Sequence, residues 1–220
     1  MSKQYRIAIS GKANTGKDTT ANMLAVSELA WKYDLYSFEE RFAFRSGFGV
    51  SELAWKYDLY SYEKLAFANP IKEIISTMFP SLDREYLFGS SEHRNKIITI
   101  SQETGQPITI RQLLQDIGER CKSIDPMIWI NALDYSISQN KDRKLIIVSD
   151  LRFIDEYKYL KNNGFFIIRI IKNTDQNMTH ISETQQECLT DDKFDYTINN
   201  NGSINELNEN VSKIVEILMQ

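Results

Sequence analysis

Gly11–Lys12–Ala13–Asn14–Thr15–Gly16–Lys17 is the stretch whose residue types and spacing most directly suggest chemistry. It follows a short apolar run and opens a segment rich in helix formers, the context that the G-x-x-x-x-G-K pattern requires. In that context successive backbone N–H groups curl round an anion, and the glycines let the main chain come close. The helix start adds unpaired donors and a partial positive charge. Lys17 is expected to lie along the β- and γ-phosphates of a nucleotide. The candidate phosphate-binding residues are Gly11, Lys12, Asn14, Thr15, Gly16, Lys17, Asp18, Thr19 and Thr20. The bland alternative is a glycine-rich strand-to-helix turn with an exposed lysine. Asp18 stands where many such loops carry the Ser or Thr that holds Mg2+, with Thr19 next. Asp18 and Thr19 are therefore candidate Mg2+ ligands, directly or through water. Asp18 reads equally well as an acid favoured in the first turn of a helix.

Transfer of a phosphoryl group needs positioning and charge neutralisation more than covalent chemistry. A phosphate acceptor arrives ionised and needs cationic clamps. A hydroxyl acceptor usually needs a carboxylate within reach of its proton. The clamps on offer are Lys72, Arg111 and Arg120 on one predicted helix, and Arg152. A lone arginine in a chain with 25% charged residues is by default a solvated surface group. Position favours Asp150 and Arg152, which follow the apolar run Lys144–Ser149 at its carboxyl end, where open α/β sheets place ligands. Asp150 can order Mg2+ or its waters there. His93 and His180 are lone histidines without metal spacing and read as structural, and Cys121 and Cys188 show no metal or redox spacing.

The elements that must position these groups alternate. Tyr5–Ser10, Lys64–Ala68, Lys144–Ser149, Phe165–Ile171 and Asp195–Ile198 read as strands. Helices are predicted from Asp18 to about Trp31, over Pro70–Phe79 with Asn69 as cap, over Arg111–Lys122, and over Pro126–Ser138 with Asp125 as cap. Two more run over Phe153–Asn163, stopped by Asn163–Gly164, and over Ser203–Met219, where Ser203 and Glu206 form a capping box. The alternation predicts an α/β, three-layer P-loop fold: a mostly parallel five-stranded sheet with helices on both faces. Residues 82–110 are polar and poorly periodic and read as substrate-covering loops or small helices. The expectation is one domain over 1–220 with a lid and acceptor region at about 80–125. Residues 26–37, VSELAWKYDLYS, recur unchanged at 50–61. Two copies make no solenoid. The extra copy, about 26–49, reads as an insertion between the first helix and the second strand, tolerated as a surface excursion.

The chain of 220 residues is long enough to bury a substantial core without staples. A net charge of −4 offers no global basic field for a nucleic acid polymer. No apolar run approaches the roughly 20 residues of a membrane span. With no signal peptide in view, the expected location is the cytoplasm, or the host cytoplasm if the chain is phage-encoded.

Six segments carry a family resemblance: ISGKANTGKDTTA at 9–21, LAFANPIKE at 65–73, IRQLLQDIGER at 110–120, IDPMIWINALDY at 124–135, IVSDLRFIDE at 147–156, and HISE with DYTINNNGSINEL within 180–207. In this order they resemble the phage-type deoxynucleoside monophosphate kinases of the P-loop superfamily. The shift of the hydroxyl to Thr19 is common in that branch. The resemblance implies ATP and Mg2+ as the donor system and a deoxynucleoside monophosphate as acceptor, and it makes a homodimer reasonable. It implies that Lys72, Arg111, Gly118, Trp129, Asp150, Arg152 and Glu156 line or support the acceptor site. Lys17, Arg111, Asp150 and Arg152 are then the catalytic set. Trp129 becomes a base-stacking plane, whereas its helical context alone makes it a core aromatic. Relatives often carry a basic residue inside the loop where this chain has Asn14 and Thr15. Two other readings stand beside this one: a kinase with a hydroxyl acceptor, like a dephospho-coenzyme-A kinase, with Asp150 or Asp18 as base; and a P-loop nucleotide-binding module that transfers nothing.

Overall fold

A computed structural model describes residues 4–25, 27, 62–89, 91–173 and 189–220. The duplicated insertion, the predicted end of the first helix, His180 and Cys188 lie outside the described residues. The chain divides into two compact units, 1–65 with 137–220, and 66–136.

The first unit is built on five strands: β1 (Tyr5–Ser10), β2 (Tyr62–Leu65), β5 (Leu145–Leu151), β6 (Phe166–Ile171) and β7 (Tyr196–Asn199). Their order in the sheet is β2-β5-β1-β6-β7, and all four pairings are parallel. A strand buried on both faces must be apolar at every position, and β5 is buried from Leu145 to Ser149. On one face Ile7, Ile9, Leu145, Ile147, Ile168 and Ile170 meet Ala21 and Leu24 of α1 (Lys17–Ala25) and Leu207, Val211 and Ile214 of α7 (Ile204–Leu218). The alternate positions Ala8, Ile146, Val148 and Ile167 are equally buried. On that side α6 (Ile154–Asn162) covers β6, with Leu160 inside. The right-handed crossover rule gives the same layering. From β1 the chain moves toward β2 and from β5 toward β6, in opposite directions across the sheet, so α1 and α6 fall on opposite faces.

Those opposite departures make β1 and β5 the topological switch point, where the loops leaving two neighbouring strands diverge and leave a crevice. Ser10 pairs with Leu151, so the loop after β1 and the turn after β5 begin side by side.

The second unit holds α2 (Asn69–Met78), the short α3 (Glu85–Phe88), a 3-10 turn at Ser91–Asn95, an antiparallel hairpin of β3 (Ile97–Ile100) and β4 (Pro107–Thr109), α4 (Ile110–Ile124) and most of α5 (Ile128–Gln139). Helices α2 and α4 pack closely at Gly118, where a Cβ would lie 3.3 Å from Ile71 Cδ1. Thr109 caps α4 by accepting from the Gln112 N–H at 3.2 Å. Asp125 accepts from the Met127 N–H at 2.9 Å and so caps the turn that leads into α5.

Several expectations need correction. The second strand ends at Leu65, not Ala68, because Phe67 and Ala68 turn into the helix. Ala68, not Asn69, stands at the N-cap of α2; Asn69 is already helical and Pro70 is the second residue. The hairpin falls in the stretch read as loops or small helices, and its turn is closed by the Ser101 N–H on the Gln106 carbonyl at 2.9 Å, with Gly105 at φ +69°.

Arg84 forks onto Glu73 with contacts of 2.9 and 2.6 Å. Hydrogen bonding to this guanidinium holds the Glu73 carboxyl below its ordinary range. A depressed carboxylate contributes stability above its unfolded value, about 4.3, and loses it as pH falls through the lower folded value. Both partners are more than half exposed, so solvent screening keeps the contribution small. Glu73→Gln should therefore lower Tm by about 1–2 °C at pH 7. The difference should vanish toward pH 3; a gap that persists there would remove the ion pair as its cause.

Candidate phosphate-transfer site

Gly11 follows β1 with no room for a side chain: a Cβ would sit 2.6 Å from the Ile170 carbonyl oxygen of β6 and 2.7 Å from Thr15 Oγ1. The loop then bends through Asn14 at φ +61° and Gly16 at φ +98°. Left-handed positions alternating with ordinary ones turn successive N–H groups toward a common hollow. Thr15 is buried, and its hydroxyl donates to the Lys12 carbonyl at 2.9 Å. Lys17 is only 9% exposed, and its Nζ donates to the carbonyls of Gly11 and Lys12, both at 2.6 Å. A buried ammonium needs partners, and a phosphate oxygen is a stronger one than a carbonyl.

Thr20 is fully buried and its hydroxyl donates to the Gly16 carbonyl at 3.0 Å, so it fastens the loop to α1 and is not turned to a ligand. Lys12, Asn14, Asp18 and Thr19 are exposed. Asp18 is bound by Lys64 of β2, Nζ to Oδ1 at 2.8 Å.

Asp150 is the half-buried penultimate residue of β5, and Arg152 is the first residue beyond the strand. Glu156 is 3% exposed, and its Oε2 accepts from the N–H groups of Arg152 and Phe153 at 2.9 and 3.0 Å. Expected to line or support the acceptor site, this carboxylate closes the turn that carries Arg152 and caps α6 with a charge its dipole favours.

In the second unit, Lys72 Nζ lies 5.1 Å and Arg84 Cζ 4.4 Å from the centre of the Phe88 ring, so two cations share one aromatic. Arg111 donates from Nε to Asn95 Oδ1 at 3.1 Å. Trp129 is 5% exposed and donates its indole N–H to the Gly118 carbonyl at 3.1 Å. A covered ring with a satisfied N–H is a helix-to-helix anchor, so the core reading replaces the base-stacking one, and Gly118 supplies the close packing and the acceptor.

Sequence reasoning missed Lys64, Phe88 and Asn200, whose Nδ2 donates to the Thr15 carbonyl at 2.8 Å. Lys64 needed knowledge of the strand order. Phe88 lies in a helix of four residues, too short for a periodic signal. Asn200 is one of three consecutive asparagines, and the run signals only a turn.

A parallel sheet with this loop at its switch point is the fold of the P-loop phosphotransferases. The chain belongs to the deoxynucleotide monophosphate kinase family, whose model matches residues 80–211, more than half of the chain, and it is an ATP-dependent nucleotide kinase. The matched stretch begins beyond residues 11–17, so the loop and the family match are independent observations. No curated protein matches the sequence. Among solved structures, a dephospho-CoA kinase from Campylobacter jejuni aligns at 15% identity over 96% of each chain, with a TM-score of 0.43.

Trp129→Phe keeps the aromatic bulk and removes the bond to Gly118. It should lower stability by about 1–2 kcal/mol in a denaturant titration and leave the acceptor KM within about twofold. A tenfold rise in KM at unchanged stability would return Trp129 to the substrate.

Proposed function

We propose that this chain is a deoxynucleoside monophosphate kinase that transfers the γ-phosphate of ATP to a dNMP, giving dNDP and ADP. The single observation that carries the proposal is the buried Lys17 at a loop bent for anion binding, in a chain of this family. In this reading Lys17 and the N–H groups of residues 11–17 hold the donor phosphates. Lys72, Arg111 and Arg152 answer the acceptor phosphate. Such transfer asks the protein chiefly to align two anions and neutralise charge as it shifts between them.

Mg2+ belongs to the same proposal. Its preference for oxygen ligands, with few from protein and the rest from phosphates and water, fits the donor set of Asp150 and the Thr19 hydroxyl. Asp18 already answers a cation in Lys64 and fits less directly. The ion would supply charge neutralisation at the phosphate oxygens. Action on small nucleotides in the cytoplasm, without a nucleic acid polymer and as a homodimer, completes the proposal.

The decisive assay is ADP release with ATP and Mg2+ against each dNMP, each NMP and dephospho-coenzyme A. Turnover with one or more dNMPs supports the proposal. Turnover with dephospho-coenzyme A alone would replace it with hydroxyl-acceptor chemistry. Lys17→Ala should cut kcat by at least about 100-fold, and a loss within tenfold would remove Lys17 from the donor site. Arg152→Ala should raise the acceptor KM or lower kcat at unchanged ATP affinity; a loss confined to ATP affinity would move it to the donor side.

A further inference from the structure

The loop between β7 and α7 reaches the phosphate loop through the side chain of Asn200. Asn200 donates from Nδ2 to the Thr15 carbonyl at 2.8 Å. Its own backbone is anchored, because the Asn200 N–H donates to the Ile171 carbonyl at 2.8 Å, extending the ladder in which Asn199 pairs with Ile171. Asn201 tightens the same loop by accepting from the Asn173 N–H at 2.7 Å. Asn200 therefore projects from a braced base.

The peptide unit between Thr15 and Gly16 is planar and trans, so its C=O and N–H point in opposite directions. Pinning the Thr15 carbonyl on Asn200 fixes the Gly16 amide to face the other way. We propose that Asn200 is a positioning residue for the donor phosphates: by holding the Thr15 carbonyl it aims the Gly16 N–H at the bound nucleotide. The glycine agrees. A Cβ at position 16 would lie 2.5 Å from Asn200 Nδ2, so the side chain lies directly over the residue whose amide it orients. An unpinned peptide can rotate and present its carbonyl to the phosphate, replacing an attraction by a repulsion.

The inference rests on the reading of residues 11–17 as the donor loop, and the experiment separates the two. ATP binding is measured by calorimetry for the parent, Lys17→Ala, Asn200→Ala and Asn200→Asp, with acceptor KM and thermal melting alongside. Asn200→Ala should weaken ATP about tenfold and leave the acceptor KM within twofold. Asn200→Asp keeps the shape but cannot donate when ionised, so it should be at least as weak at pH 7.5. Relative to the parent at each pH, it should recover as pH falls toward 5, because a protonated carboxyl regains an O–H for the Thr15 carbonyl. A purely structural role would move melting without this pH signature. Either variant binding ATP within twofold of the parent at pH 7.5, or Asn200→Asp showing no relative recovery at low pH, overturns the inference. If Asn200→Ala does not fold, the isosteric Asn200→Asp carries the test. Side-chain amide exchange in the parent supplies a further measurement: the Asn200 NH2 should be protected, and free exchange overturns the inference. A parent that binds no ATP sinks the donor-loop reading itself. A parent whose binding falls with Lys17→Ala but not with Asn200→Ala sinks only the role of Asn200.

Discussion

An anion held by main-chain amides requires consecutive N–H groups to converge, and a converging backbone has no space on its inner side for side chains. That constraint falls on Gly11 and Gly16. Gly11 lies against the carbonyl of Ile170, so the loop can begin only where β1 and β6 run side by side. Gly16 takes φ +98°, which a side chain would strain. A loop in sparsely populated conformations persists only when its surroundings over-determine it. Here the hydroxyls of Thr15 and Thr20 and the ammonium of Lys17 all bind carbonyls of the loop itself. Beneath it, β1 is central in a sheet buried on both faces, so the base of the loop has little freedom to shift.

The turn after β5 meets a similar demand by different means. A strand passing into a helix leaves N–H groups without partners, and burial makes that expensive. The Glu156 carboxylate satisfies two of them with one oxygen, the amides of Arg152 and Phe153. Leu151 is fully buried, so Asp150 and Arg152 flank a core residue. Arg152 thus sits on a turn whose geometry is set from inside α6. This explains why a carboxylate four residues beyond Arg152 is retained in the interior.

How much of this was legible depended on the range of the signal. Buried parallel strands announce themselves as unbroken apolar runs, and β1, β5 and β6 were read within a residue or two of their ends. The loop at residues 11–17 was legible because its pattern is local, and the strand before it and the helix start after it stand where the sequence places them. The β3–β4 hairpin was not, since its strands have four and three residues and one begins with proline. Trp129 shows that an aromatic on an amphipathic helix is settled by packing: the acceptor of its N–H is a glycine carbonyl on another helix. Asn200 carries no local signal of its role. Its partner lies 185 residues away in the chain, and only the pairing of β6 with β7 selects it from three adjacent asparagines.

The acidic residue after Lys17 poses an electrostatic problem of its own. A helix N-terminus favours a negative side chain, and Asp18 gains from the dipole in its first turn. In the donor reading proposed above, the same end of the helix also receives a phosphate, and two anions near one positive end repel each other. Lys64 resolves the conflict. It projects from edge strand β2 to meet the Asp18 carboxylate at 2.8 Å. With Asp18 80% exposed, the pair adds little to folding stability. Its effect in that reading would be on the local field: an Asp18 offset by Lys64 leaves the positive end of α1 to an incoming anion. A hydroxyl at position 18 would need no such answer, so Lys64 is explained by the acid it faces.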